Sequence, residues 1–123
     1  IKQKNLTEHI TFCGARSDIA DVYKISNIVM NLSSKPEPFG RTIIEAAACG
    51  SHVMGWDRGG VKESIQSINP IGLVDYGNVE TLAKQIDQVL VTPPPESIPE
   101  QFTKESLVNA TMNVYELAVS KAS

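Results

Sequence analysis

Two cysteines in 123 residues, Cys13 and Cys49, are too few for a disulfide framework. Both read as small buried residues of a reducing, cytoplasmic compartment. The two histidines, His9 and His52, have no cysteine or carboxylate at ligand spacing, so the sequence carries no metal site. Basic residues do not dominate. Lys and Arg total 11 against 14 Asp and Glu, a net charge of −3, which excludes a general footprint for nucleic acid. Unbroken apolar runs last only a few residues, too short for a transmembrane segment. No Gly-x-Gly-x-x-Gly follows a strand-like run, which argues against an NAD-binding domain. Neither a secretory leader nor an internal repeat is visible. The chain opens on Ile1 rather than Met, and 1–5 reads as the tail of a helix. A piece of a longer protein, truncated at its N-terminus, is therefore expected.

What is present is an alternation of short apolar runs and periodic stretches. Ile10-Thr11-Phe12-Cys13, ended by Gly14, reads as a strand. Asp18 can cap a helix over Ile19, Ala20, Val22 and Tyr23. Strands are expected at 27–32, 52–56 and 71–75, with helices at 42–49 and from Gly59-Gly60 through Ile65. Val79, Leu82, Ala83, Ile86, Val89 and Leu90 recur at helical spacing and mark one helix face. Four strand–helix alternations predict an α/β domain, a Rossmann-like parallel sheet with helices on both faces. Residues 92–99, with four prolines, read as a stiff connector. A final helix at 103–119 carries the stripe Leu107, Ala110, Thr111, Val114, Leu117 and Ala118, which predicts that it packs on something. The whole chain, 1–123, is expected to be one partial domain.

Ligands of such sheets bind beyond the carboxyl ends of the strands. Three loops there carry the unusual residues: Gly14-Ala15-Arg16, the segment around Glu37, and Asp57-Arg58-Gly59-Gly60. The middle one organises the chain. Pro36 and Pro38 hold the backbone extended around Glu37. Gly40 permits close approach, and a short helix follows to Cys49, with Gly50 as its left-handed stop. The unpaired N–H groups at that helix start favour an anion such as a phosphate. Glu37 and Glu45 add two acceptors for hydroxyl groups. The unit suits a nucleotide joined to a sugar.

Glu37, seven residues, then Glu45, within Pro-Glu-Pro-Phe-Gly-Arg-Thr-Ile-Ile-Glu-Ala-Ala-Ala-Cys-Gly, resembles the E-x7-E motif of retaining GT-B glycosyltransferases of family GT4, the glycosyl transferases group 1 domain. The following Val53-Met54-Gly55-Trp56-Asp57-Arg58-Gly59-Gly60-Val61-Lys62-Glu63 resembles the strand and Gly-Gly turn that come next there. The resemblance implies the C-terminal, donor-binding half of such an enzyme, which transfers a sugar from a nucleoside-diphosphate sugar to an acceptor hydroxyl. It implies no cofactor. Glu37 would be the catalytic carboxylate beside the transferred sugar. Glu45 would accept from the ribose hydroxyls, the lesser alternative being a surface ion pair with Arg41. Phe39, Gly40, Arg41 and Thr42 would face the diphosphate, and Ala15 and Arg16 would pass the base; Arg41 and Arg16 also suit plain surface positions.

The family places basic residues for the diphosphate before the strand expected at 10–13, and no glycine-led loop with Arg and Lys stands there. A carbohydrate or lipid-linked acceptor would bind through an N-terminal domain that the sequence lacks. Polysaccharide biosynthesis in the cytoplasm, at the inner face of a bacterial membrane, fits the family habit. An unpaired sheet edge would invite self-association. Two other readings stay open: a noncatalytic binding module on the same scaffold, and another GT-B enzyme such as a sugar-nucleotide epimerase.

Overall fold

The computed structural model describes residues 2–122. The elements are α1 (Ile19–Ile25), β1 (Ile28–Asn31), α2 (Arg41–Ala48), β2 (His52–Trp56), α3 (Gly59–Ile68), β3 (Leu73–Val74), α4 (Val79–Leu90) and α5 (Lys104–Ala122). Single 3-10 turns occupy Lys2–Lys4, Pro70–Gly72 and Glu100–Phe102.

The three strands are parallel in the order β1-β2-β3, with Ile28 opposite His52 and Gly55 opposite Leu73. Central β2 is buried along its whole length, as a strand covered on both faces must be. Its side chains divide the core by simple alternation. Val53 faces a cluster with Tyr23, Ile43, Ala46, Ala47, Val61 and Ile65, from α1, α2 and α3. Met54 and Trp56 face the other way, onto Val74, Leu82 and Val89. The chain is thus an α/β domain, a Rossmann-like parallel sheet with helices on both faces. Full burial of each such side chain stabilises by about 1.5–3 kcal/mol. Gly55 needs its missing side chain, because a Cβ there would lie 2.7 Å from Val61 Cγ1 and 2.8 Å from the Asn31 carbonyl. Asn78 caps α4, its side chain accepting from the Thr81 N–H at 3.0 Å.

Several expectations fail for physical reasons. Residues 10–13 form no strand and are exposed, Phe12 at 84%. A short run of β-formers is held only by ladder partners, and none of the described strands pairs with it. Cys13 is therefore exposed, and Cys49 only half-buried. Asp18 precedes α1 but makes no side-chain cap, because its carboxylate is engaged by Arg16. Of the expected α4 stripe, Val79, Ala83 and Leu90 are exposed. Among the described residues nothing packs on the α5 stripe: Leu107, Val114 and Leu117 are all exposed. Amphipathic spacing specifies a face, not its partner.

The connector at 92–99 does carry a core contact, through Ile98 against the α1–α2–α3 cluster. It leads to Phe102, and the Gln101 Nε2 donates to Ser67 Oγ of α3 at 3.2 Å. Among the described residues no helix is long and apolar enough to cross a membrane.

Candidate functional site

The site grows from the end of β1. Asn31 is the last residue of that strand and is 8% exposed. A buried amide must have its hydrogen bonds satisfied. Its Nδ2 donates to Glu37 Oε1 and to Thr42 Oγ1, both at 3.0 Å, and its Oδ1 accepts the Ser33 N–H at 3.2 Å. One amide thereby joins the strand, the loop carboxylate and the first turn of α2.

The loop at 36–40 is seated on the start of α3. The Glu37 carbonyl accepts the Gly60 N–H at 2.7 Å, and the Phe39 carbonyl accepts from Ser64 Oγ at 3.2 Å. Three glycines make this approach possible. A Cβ on Gly60 would lie 2.5 Å from the Phe39 Cα and the Pro38 carbonyl; one on Gly59 would lie 2.7 Å from the Glu37 carbonyl. Gly40, at φ 65°, caps α2 in the left-handed region, and a Cβ there would lie 3.0 Å from the Val61 backbone. Gly59 and Gly60 thus serve loop-to-helix contact as well as helix entry.

Three recesses border this loop, one of them an open groove along Pro36, Glu37, Pro38, Gly59, Gly60, Lys62 and Glu63. Glu37 lies in a cleft with Asn31, Ser33, Lys35, Pro36, Trp56, Arg58 and Val61. Glu45 lies in a groove of about 150 Å3 with Phe39, Arg41, Ile44 and Phe102. The two carboxylates of the motif therefore line separate recesses. Arg41 Nη2 stands 3.3 Å from Glu45 Oε1, the i,i+4 pair that spacing allowed, and its side chain is 79% exposed. Thr42 is brought to Glu37 through Asn31. Ala15 and Arg16 sit in an exposed stretch. Arg16 is engaged by Asp18 in a two-pronged pair, at 2.8 and 2.6 Å. That hydrogen-bonded pair holds the Asp18 carboxyl below its usual range and raises the Arg16 guanidinium. On the far side of α2, burial pushes the Tyr23 phenol up, and the nearby charge of Glu45 adds to the shift.

Sequence reasoning passed over Asn31, Lys35 and Phe102. A single polar residue closing the apolar run Ile28-Val29-Met30 was the available signal for the first.

The arrangement can cradle an anion at the α2 start, accept from hydroxyls at Glu45, and hold a carboxylate at Glu37. The sequence profile of the family described as Glycosyl transferases group 1 matches residues 1–106. The chain belongs to that family. Among similar proteins of this glycosyltransferase family, N-acetyl-alpha-D-glucosaminyl L-malate synthase of Bacillus anthracis is 29% identical, over 94% of this chain and 32% of its own. D-inositol 3-phosphate glycosyltransferase of Gordonia bronchialis is 30% identical over 85% of this chain and 24% of its own. The Rhodococcus erythropolis protein of the same name is 31% identical over 72% and 20%. The chain spans about a third or less of the length of these relatives.

Proposed function

We propose that this chain is the donor-binding part of a retaining GT-B glycosyltransferase of the GT4 type. The observation that carries the reading is the Asn31 amide, which fixes Glu37 and Thr42 together at the carboxyl end of a parallel strand. In this reading the nucleoside diphosphate lies along the start of α2, with Phe39, Gly40, Arg41 and Thr42 toward the diphosphate. Glu45 releases Arg41 and accepts from the ribose hydroxyls. Ala15 and Arg16 pass the base. Glu37 faces the transferred sugar and stabilises the positive charge that develops as its bond to the diphosphate breaks. The acceptor oxygen then bonds to the same carbon on the same face, and its proton leaves with the diphosphate. No cofactor takes part. Most of the acceptor's binding surface lies in the N-terminal domain of such an enzyme, and the relatives' names, with malate and inositol 3-phosphate, favour an anionic acceptor.

The test is transfer by the full-length protein from a panel of sugar nucleotides, with the anomeric configuration of the product read by NMR. Retention is expected; an inverted product, or hydrolysis without transfer, would overturn the reading.

Glu45→Ala should weaken nucleoside-diphosphate binding by about 1–3 kcal/mol, the scale for losing a hydrogen bond to a charged group. A dideoxyribose analogue should lose little further affinity in that variant. Additive losses in calorimetric titrations would mean that Glu45 does not read the ribose.

A further inference from the structure

Ion pairing does not use every cation among the described residues. Arg16, Lys24, Arg41, Lys62 and Lys84 each stand within ion-pair distance of a carboxylate. Lys35 and Arg58 have no such partner among the described residues, and both line the cleft that holds Glu37. Arg58 is also held in place. Its guanidinium carbon lies 4.1 Å from the centroid of the Tyr76 ring, and Trp56 meets that ring edge-on at 6.0 Å. A guanidinium stacked on an aromatic face keeps its planar fork oriented while its N–H donors remain available. Lys35 precedes Pro36, which biases its backbone toward an extended conformation. Glu37 already accepts from Asn31. Two cations against one carboxylate leave this cleft positive.

We propose that Lys35 and Arg58 form an anion-recognition site at the mouth of the Glu37 cleft, whose interior of about 10 Å3 has room for little more than a water, taking a carboxylate or phosphate group of a substrate, with Arg58 gripping two of its oxygens. The inference rests on the reading that this cleft receives substrate. It adds a requirement for negative charge beside the transferred sugar. Two sources share that chemistry: an anionic group on the acceptor, and the phosphates of the donor.

The full-length protein is titrated calorimetrically with L-malate, inorganic pyrophosphate and neutral myo-inositol. The first two should bind and the third should not. Arg58→Gln and Lys35→Gln should each weaken L-malate at least about tenfold, the scale for losing a hydrogen bond to a charged group. Lys35 is exposed, so its variant keeps the fold even if Arg58→Gln does not. Glu37→Gln, which removes a negative charge, should tighten L-malate. L-malate binding alongside saturating pyrophosphate assigns the site to the acceptor; competition assigns it to the donor phosphates. Unchanged affinity in both cation variants, or no L-malate binding by the parent protein, overturns the site. Loss of transfer in Glu37→Gln with unchanged affinities in the cation variants would overturn this inference alone. Anion binding without any transfer would leave the site standing and remove the enzymatic reading.

Discussion

Glu37→Gln in the full-length protein is expected to lower sugar transfer by about 10²–10³-fold, the scale for removing one electrostatic stabiliser of a transition state. Nucleoside-diphosphate affinity should stay close to that of the parent. Two features of the structure separate the effects. Glu37 lines a different recess from Glu45, on the other side of the 38–40 backbone. The glutamine also keeps an oxygen for the Asn31 Nδ2, so the loop retains its anchor. Steady-state transfer rates set beside calorimetric nucleotide titrations would check this. Near-normal turnover would remove Glu37 from the chemistry.

Gly60→Ala should be the most damaging small substitution at the 36–40 loop. The added methyl meets backbone on its far side, the Phe39 Cα and nitrogen and the Pro38 carbonyl, all at 2.5 Å. No side chain can rotate away. Either α3 shifts or the 36–40 loop lifts, breaking the Gly60 N–H to Glu37 carbonyl bond. Overpacking of this kind destabilises by about 1–3 kcal/mol. Because the displaced backbone is the proposed phosphate cradle, nucleotide affinity should fall together with the melting temperature. A variant with the parent's melting temperature and nucleotide affinity would show that the two loops do not touch.

How much of this was legible in the sequence depended on where each element finds its partners. β2 at 52–56 was readable with its true bounds because Val53, Met54 and Trp56 carry no charge and stand between the Gly50 stop and Asp57, as a strand covered on both faces allows. α4 was readable because Leu82, Ile86 and Val89 repeat at helical spacing. The run at 10–13 looked equally strand-like, yet four residues cannot bring their own ladder partners. The α5 stripe failed in the same way. At the site, Glu37, Gly40 and Glu45 stood out through spacing and proline context. Asn31 did not, because its three partners come from 33, 37 and 42 and meet only once β1, the loop and α2 are folded together. Arg58 was visible only as a turn residue, since Tyr76 belongs to the loop after the next strand.

The Asn31 amide also makes its two clients interdependent. Its nitrogen has two protons, and both are committed, one to Glu37 and one to Thr42. A ligand that draws the Thr42 hydroxyl toward itself alters the field in which the Glu37 carboxylate sits. A group that repositions Glu37 must likewise disturb Thr42. Thermodynamic linkage makes the influence equal in both directions, whichever ligand arrives first. In the proposed reading, the sugar and diphosphate halves of one donor, each reached through one proton of the same amide nitrogen, are then not independent binding events.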